Sequence, residues 1–134
     1  MIRILFKTDS HYTVDRKRLR STIEAFLTDK RVKGNVEISV SVVGDRMMQN
    51  LNKQYRSVDA TTDVLSFPLI DWSSSLPFVD PPDDILRLGD IVLSYPQAVF
   101  SASEEEKLVD DKIDELVIHG VQHLMGQHHD GSLS

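Results

Sequence analysis

Residues 115–130 read ELVIHGVQHLMGQHHD and hold four of the five histidines of the chain, His119, His123, His128 and His129, with His11 alone near the start. Imidazole is the commonest protein ligand for transition-type metal ions, so the cluster raises metal chemistry first. On an α-helix, residues four apart are rotated by only about 40° and rise by about 6 Å, so His119 and His123 project from one face and can grip one ion. A helix running on would turn His129 away from that pair. Gly126 is where it can stop, because glycine enters the left-handed conformation that ends helices without a Cβ penalty, and the chain can then turn back and deliver His129. Three nitrogen ligands at this spacing suit one tetrahedral zinc with a fourth position left open.

As a string, H-x-x-x-H-x-x-G-x-x-H resembles the metzincin spacing, with one large departure. Those proteases carry glutamate directly after the first histidine as general base, and here Gly120 stands in its place. The ligands are present and that base is absent. A histidine tract can also be solvated and inert. This one is interrupted by Val121, Leu124 and Met125, which continue an amphipathic pattern, and that favours a built site.

The elements that must carry these residues are legible in the spacing of apolar positions. Residues 2–7 read as a first strand, and Leu19, Ile23, Phe26 and Leu27 as the buried stripe of a helix over residues 14–28, with Thr13 as its N-cap. Ile38, Val40 and Val42 alternate with polar neighbours in a half-buried strand over residues 37–43. Gly44 and Asp45 then break that strand and cap a helix that places Met47, Met48, Leu51 and Tyr55 on one face. Residues 56–63 are turn-like and residues 64–68 form a strand ended by Pro68. Residues 70–84, with three prolines, form one long loop. A fourth strand covers residues 88–93, and Ser94 with Pro96 opens a helix to about Glu105. A last helix starts near Val109, with Ser103 and Glu106 as an alternative cap. This predicts an α+β fold, a single domain over residues 1–134, with a mixed sheet of about four strands packed with helices and a zincin-like metal-binding helix near the C-terminus.

Composition narrows the function classes. With no cysteine in the chain, disulfides and thiolate zinc sites are excluded, so any zinc must be held by histidine or carboxylate. No apolar run approaches membrane-spanning length and the N-terminus lacks a signal-peptide pattern, so a cytoplasmic location and no membrane partner are expected. A net charge of -6 argues against nucleic acid, whose binding is driven largely by Lys and Arg. The distribution softens this, with basic clusters at Arg16, Lys17, Arg18 and Arg20, at Lys30, Arg31 and Lys33, and at Lys53 with Arg56. Charge runs are usually solvated faces.

Three segments together make the chain resemble the YbeY family of single-strand endoribonucleases. HGVQHLMGQHH at residues 119–129 is similar to the family's H-G-x-L-H-L-x-G-Y-D-H, Tyr55 and Arg56 with residues 62–68 are similar to its Y-R and T-D-V-L-S-F-P, and residues 89–91 to its G-D-I strand. The resemblance implies one zinc ion on His119, His123 and His129, and a catalytic role for Arg56 near the scissile phosphate. It also implies single-stranded RNA as substrate, small-subunit rRNA maturation and ribosome quality control as the setting, and ribosomal or ribosome-assembly proteins as partners. Gln122 replaces the usual leucine, Gln127 and His128 replace Tyr-Asp, and Ser134 falls where the family continues into an acidic segment and another helix. The second departure leaves His128 as an alternative ligand to His129.

A guanidinium suits the proposed role because it donates in a fork matched to phosphate oxygens, while its bland alternative is a surface salt bridge to Asp59 or Asp63. The leading expectation is therefore a zinc-dependent hydrolase acting on RNA phosphodiesters. Two alternatives stand beside it: a non-catalytic ribosome assembly factor with a structural zinc, and a metallopeptidase, which Gly120 disfavours for want of a base.

Overall fold

A computed structural model describes residues 1–9, 11–70 and 84–126 of the chain. The elements run β1 (Ile2–Thr8), α1 (Arg16–Asp29), β2 (Asn35–Val43), α2 (Asp45–Arg56), β3 (Val64–Pro68), β4 (Ile85–Ser94), α3 (Tyr95–Glu104) and α4 (Val109–Leu124). The four strands form one mixed sheet in the order β1-β2-β4-β3. β2 runs parallel between β1 and β4, and β3 pairs antiparallel with β4 at the edge. The α+β class and the four-strand mixed sheet agree with the sequence reading. Among the described residues, no helix is long and apolar enough to cross a membrane.

Helices cover both faces because each carries an apolar stripe. Leu19, Ile23 and Leu27 of α1, together with Ile113, Leu116, Val117, Val121 and Leu124 of α4, bury against Ile4, Ile38, Val40, Val42, Ile91 and Leu93 of the sheet. On the other face, Met48 of α2 packs with Leu65 and Val92, and Leu51 and Phe67 close around them. The strand periodicity separates the two cores: along β3, Leu65 and Phe67 face α2, while Val64 packs toward the α4 side.

Several local expectations are corrected. The N-cap of α1 is Asp15, whose carboxylate accepts from the Arg18 backbone N–H at 3.0 Å, so the helix begins two residues later than Val14. Gly44 caps α2 with its backbone alone. Asp45 instead sits inside the first turn, where its carboxylate accepts from Thr61 Oγ1 at 3.0 Å, Ser94 Oγ at 2.9 Å and Gln97 Nε2 at 3.3 Å. β2 and β4 extend further toward their N-termini than alternation suggested. Ser94 does cap α3, accepting from the Gln97 backbone N–H, whereas α4 follows Leu108 with no side-chain cap.

The basic first turns of α1 also find a structural use. Arg18 bonds Asp111 Oδ1 at 2.5 Å and Asp114 Oδ2 at 2.8 Å across the α1/α4 contact, and Arg16 and Arg20 lie over the Phe6 ring at 5.8 and 5.5 Å. Its hydrogen bonds to Asp114 and then to Asp111 raise the Arg18 pKa above its already high value. Three of the four cations in that cluster thus serve the fold.

Candidate active site

α4 builds one wall of the site. Its buried stripe fixes the helix against the sheet, and the stripe beside it carries Lys112, Glu115, His119 and His123 along one flank. The His119 and His123 rings lie with centroids 4.7 Å apart and planes tilted by 46°. Adjacent turns of one helix thus bring the two imidazoles side by side, as sharing one ion requires. The donors present therefore fit a zinc-type ion as two of its ligands. Among the described residues, no group of three or more His, Asp or Glu forms a complete metal set. His128 and His129 lie outside the described residues. α4 ends at Leu124, and Gly126 adopts φ +73°, its N–H bonding the His123 carbonyl oxygen at 3.0 Å, so the chain turns immediately after the second histidine.

Gly120 has a packing explanation. It faces the sheet, and a Cβ there would lie 3.0 to 3.2 Å from the Cγ2, Cγ1 and Cδ1 atoms of Ile91. A glutamate at this position would point into the core and not toward the histidines. Gly120→Ala sets a helix-propensity gain of about 1 kcal/mol against an overpacking cost of about 1–3 kcal/mol. The expected outcome is a net loss on the order of 1 kcal/mol in urea unfolding, and a stabilised variant would show that α4 sits further from β4 than described.

β3 and the end of α2 build the opposite wall. A cleft of ≈ 900 Å³ lies between them and α4, lined among others by Arg56, Asp63, Ser66, Lys112, His119 and His123. Arg56 is the last residue of α2, and the segment after it is tied back on the helix. Ser57 takes the left-handed conformation (φ 59°) and bonds the Lys53 carbonyl, and buried Asn52 donates from Nδ2 to the Ala60 carbonyl at 2.8 Å. The salt-bridge alternative for Arg56 is not formed with either expected partner among the described residues. Asp59 accepts from Gln49 Nε2 at 2.9 Å and faces Lys53, while Asp63 Oδ1 accepts from the Val64 N–H at 2.8 Å.

The cleft side of β3 is an open edge. The Ser94 N–H bonds the Asp63 carbonyl and the Leu69 N–H bonds the Leu88 carbonyl, so in this antiparallel register residues 63, 65, 67 and 69 turn their backbone groups toward β4. Those of Val64 and Ser66 consequently face outward, and among the described residues no strand lies beside them.

At the far end, Lys112 Nζ is buried between Glu105 Oε2 at 2.8 Å and Glu115 Oε1 at 3.3 Å, with Lys107 bonded to both carboxylates. Hydrogen bonds from Lys107 and then Lys112 hold the Glu115 carboxyl below the usual carboxylate range. Burial alone would lower Lys112, but the bonds to Glu105 and Glu115 outweigh it and raise its pKa. Sequence reasoning did not single out this group. Its signal was the i, i+3, i+7 spacing of Lys112, Glu115 and His119, which shares the flank of the histidine pair.

The profile of the family described as Endoribonuclease YbeY matches residues 5–132. The chain belongs to this family. Proteins named endoribonuclease YbeY include one from Roseiflexus sp. (strain RS-1), 40% identical over 119 residues, which cover 89% of this chain and 73% of that protein. One from Roseiflexus castenholzii is 42% identical over 111 residues, covering 83% and 67%. The solution structure of a Thermotoga maritima protein superposes with a TM-score of 0.59 at 28% identity, covering 98% of this chain and 77% of that one. The segments that carried the YbeY resemblance meet in space: Arg56, residues 62–66 and the first two histidines all line the one cleft. Gly89, at φ +144°, lets β3 and α4 close on β4, since a Cβ there would lie 2.3 Å from the Phe67 carbonyl oxygen and 2.8 Å from Leu124 Cδ2.

Proposed function

We propose that this chain is a zinc-dependent endoribonuclease that cleaves single-stranded RNA within the cleft between β3 and α4, in small-subunit rRNA maturation and ribosome quality control. The observation that carries the reading is the convergence of Arg56, from the end of α2, with His119 and His123, from α4, on one cleft in a chain of the endoribonuclease YbeY family. His119 and His123 would hold the ion with His129 as third ligand and His128 as its alternative. A zinc so held supplies Lewis acidity toward a phosphoryl oxygen and lowers the pKa of a water. Arg56 grips the nonbridging oxygens of the scissile phosphate, and its charge is not cancelled by a described carboxylate. α4 fixes both imidazoles on one rigid helix, and the tied segment after Arg56 limits where its side chain can go.

The packing of Gly120 on Ile91 works against a metallopeptidase, because the position that would carry its general base faces the core. The ribosomal setting rests on family membership. The test is cleavage of a short end-labelled RNA, single-stranded or annealed to its complement, by the metal-replete protein. Metal-dependent cutting of the single strand and at least tenfold slower cutting of the duplex are expected. A folded, zinc-loaded protein that cuts neither would overturn the nuclease reading in favour of a non-catalytic assembly factor.

A further inference from the structure

We propose that Tyr55 and Phe67 form a stacking platform for a nucleobase of the bound RNA, next to the phosphate held by Arg56. This rests on the ribonuclease reading above and deepens it. Tyr55 occupies the last turn of α2, directly before Arg56, and is 60% exposed. Its ring centroid lies 5.1 Å from that of Phe67, with the planes at 64°, so the two rings meet edge to face on the α2 side of β3. Ser66, the neighbour of Phe67, lines the cleft on the opposite side of the same strand. The platform and the histidine cleft are therefore separated only by an edge strand whose Val64 and Ser66 backbone groups face outward. A single strand crossing that edge can place a phosphate at Arg56 and lay an adjacent base on the rings.

The chemistry selects the ligand. Aromatic side chains receive unstacked bases of any identity through their π-faces, which suits a single strand and not a duplex whose bases are already stacked on one another. Arg56 alone would bind phosphates of either. The platform thus gives the site a reason to prefer single strands. The plain alternative is that Tyr55 only covers Phe67 and the small core of Met48, Leu65 and Val92. Tyr55→Leu separates the two, since leucine keeps an apolar cover and removes the π-face, and Tyr55→Phe keeps the face and removes the hydroxyl.

The experiment is equilibrium anisotropy of a fluorescent single-stranded hexanucleotide with the wild-type, Tyr55→Leu and Tyr55→Phe proteins, repeated with an abasic residue at each position in turn. Binding is read on the chelated proteins, and RNA integrity on parallel samples reloaded with zinc. Tyr55→Leu is expected to weaken binding by roughly 5- to 150-fold and Tyr55→Phe by less than about threefold, the range for one base–aromatic stack. One abasic position should cost the wild type a similar factor and cost Tyr55→Leu little further. Wild-type affinity in Tyr55→Leu, or an equal abasic penalty in both proteins, overturns the platform. Intact RNA with the expected binding pattern would leave the platform standing and remove the nuclease reading, whereas cleaved RNA with no effect of Tyr55→Leu would do the reverse. A wild type that neither binds the RNA nor cuts it after zinc reloading would overturn both.

Discussion

His119→Ala and His123→Ala are each expected to strip the metal from the chain and abolish RNA cleavage while leaving the fold intact. Loss of even a hydrogen-bond partner of a ligand costs about 10- to 100-fold in metal affinity, so loss of the ligand itself should exceed about 100-fold. Both histidines are only half-buried on the flank of α4, outside the stripe that packs on the sheet, so the unfolding transition should move little. His129→Ala should behave in the same way and His128→Ala should retain most of the metal. Zinc titration of the apo proteins checks this series. Wild-type zinc affinity in either of the first two variants would show that the paired rings do not hold the ion, and the opposite ranking of the last two would make His128 the third ligand.

Arg56→Ala is expected to slow single-turnover cleavage on the order of 100-fold, or roughly 3 kcal/mol, with zinc content unchanged. Negative charge builds on the nonbridging phosphate oxygens as the ester bond breaks, and a positioned guanidinium stabilises it more than it stabilises bound substrate. Arg56→Lys should recover little of the rate, because an ammonium keeps the charge and loses the two-pronged geometry. Arg56 is exposed and makes no ion pair among the described residues, so its removal strands no partner and should change stability by less than about 0.5 kcal/mol. A metal-replete Arg56→Ala protein cutting at the wild-type rate would remove this residue from the mechanism.

What could be read in the sequence was local. The alternation of Ile38, Val40 and Val42 and the four-residue spacing of Leu19, Ile23 and Leu27 placed a strand and a helix close to where they stand, because burial on one face imposes those periods directly. The relation between elements was not legible. No local pattern states that β4 sits between β2 and β3, or that β3 lies at the edge, since these are contacts between residues far apart in sequence. The same limit explains Arg18, whose acidic partners lie on α4, and Asp45, whose carboxylate reaches Ser94 and Gln97 instead of capping its own helix.

Gly120 is the instructive position in the candidate site. By spacing it reads as a missing catalytic base, and in space it is a contact with Ile91 that a side chain would spoil. His119 and His123 were legible because a four-residue interval on a helix is itself a geometry. Arg56 was placed near them only by resemblance, and its position across the cleft required the fold.

Cleavage of single-stranded RNA by chelator-treated protein, titrated back with zinc, decides whether the histidine pair of α4 holds a catalytic ion. Activity should vanish on chelation, return in proportion to zinc and saturate at one ion per chain, with His119→Ala and His123→Ala silent throughout. Equal rates in the chelated and reconstituted proteins, or activity restored in the histidine variants at the same zinc concentration, would contradict the account.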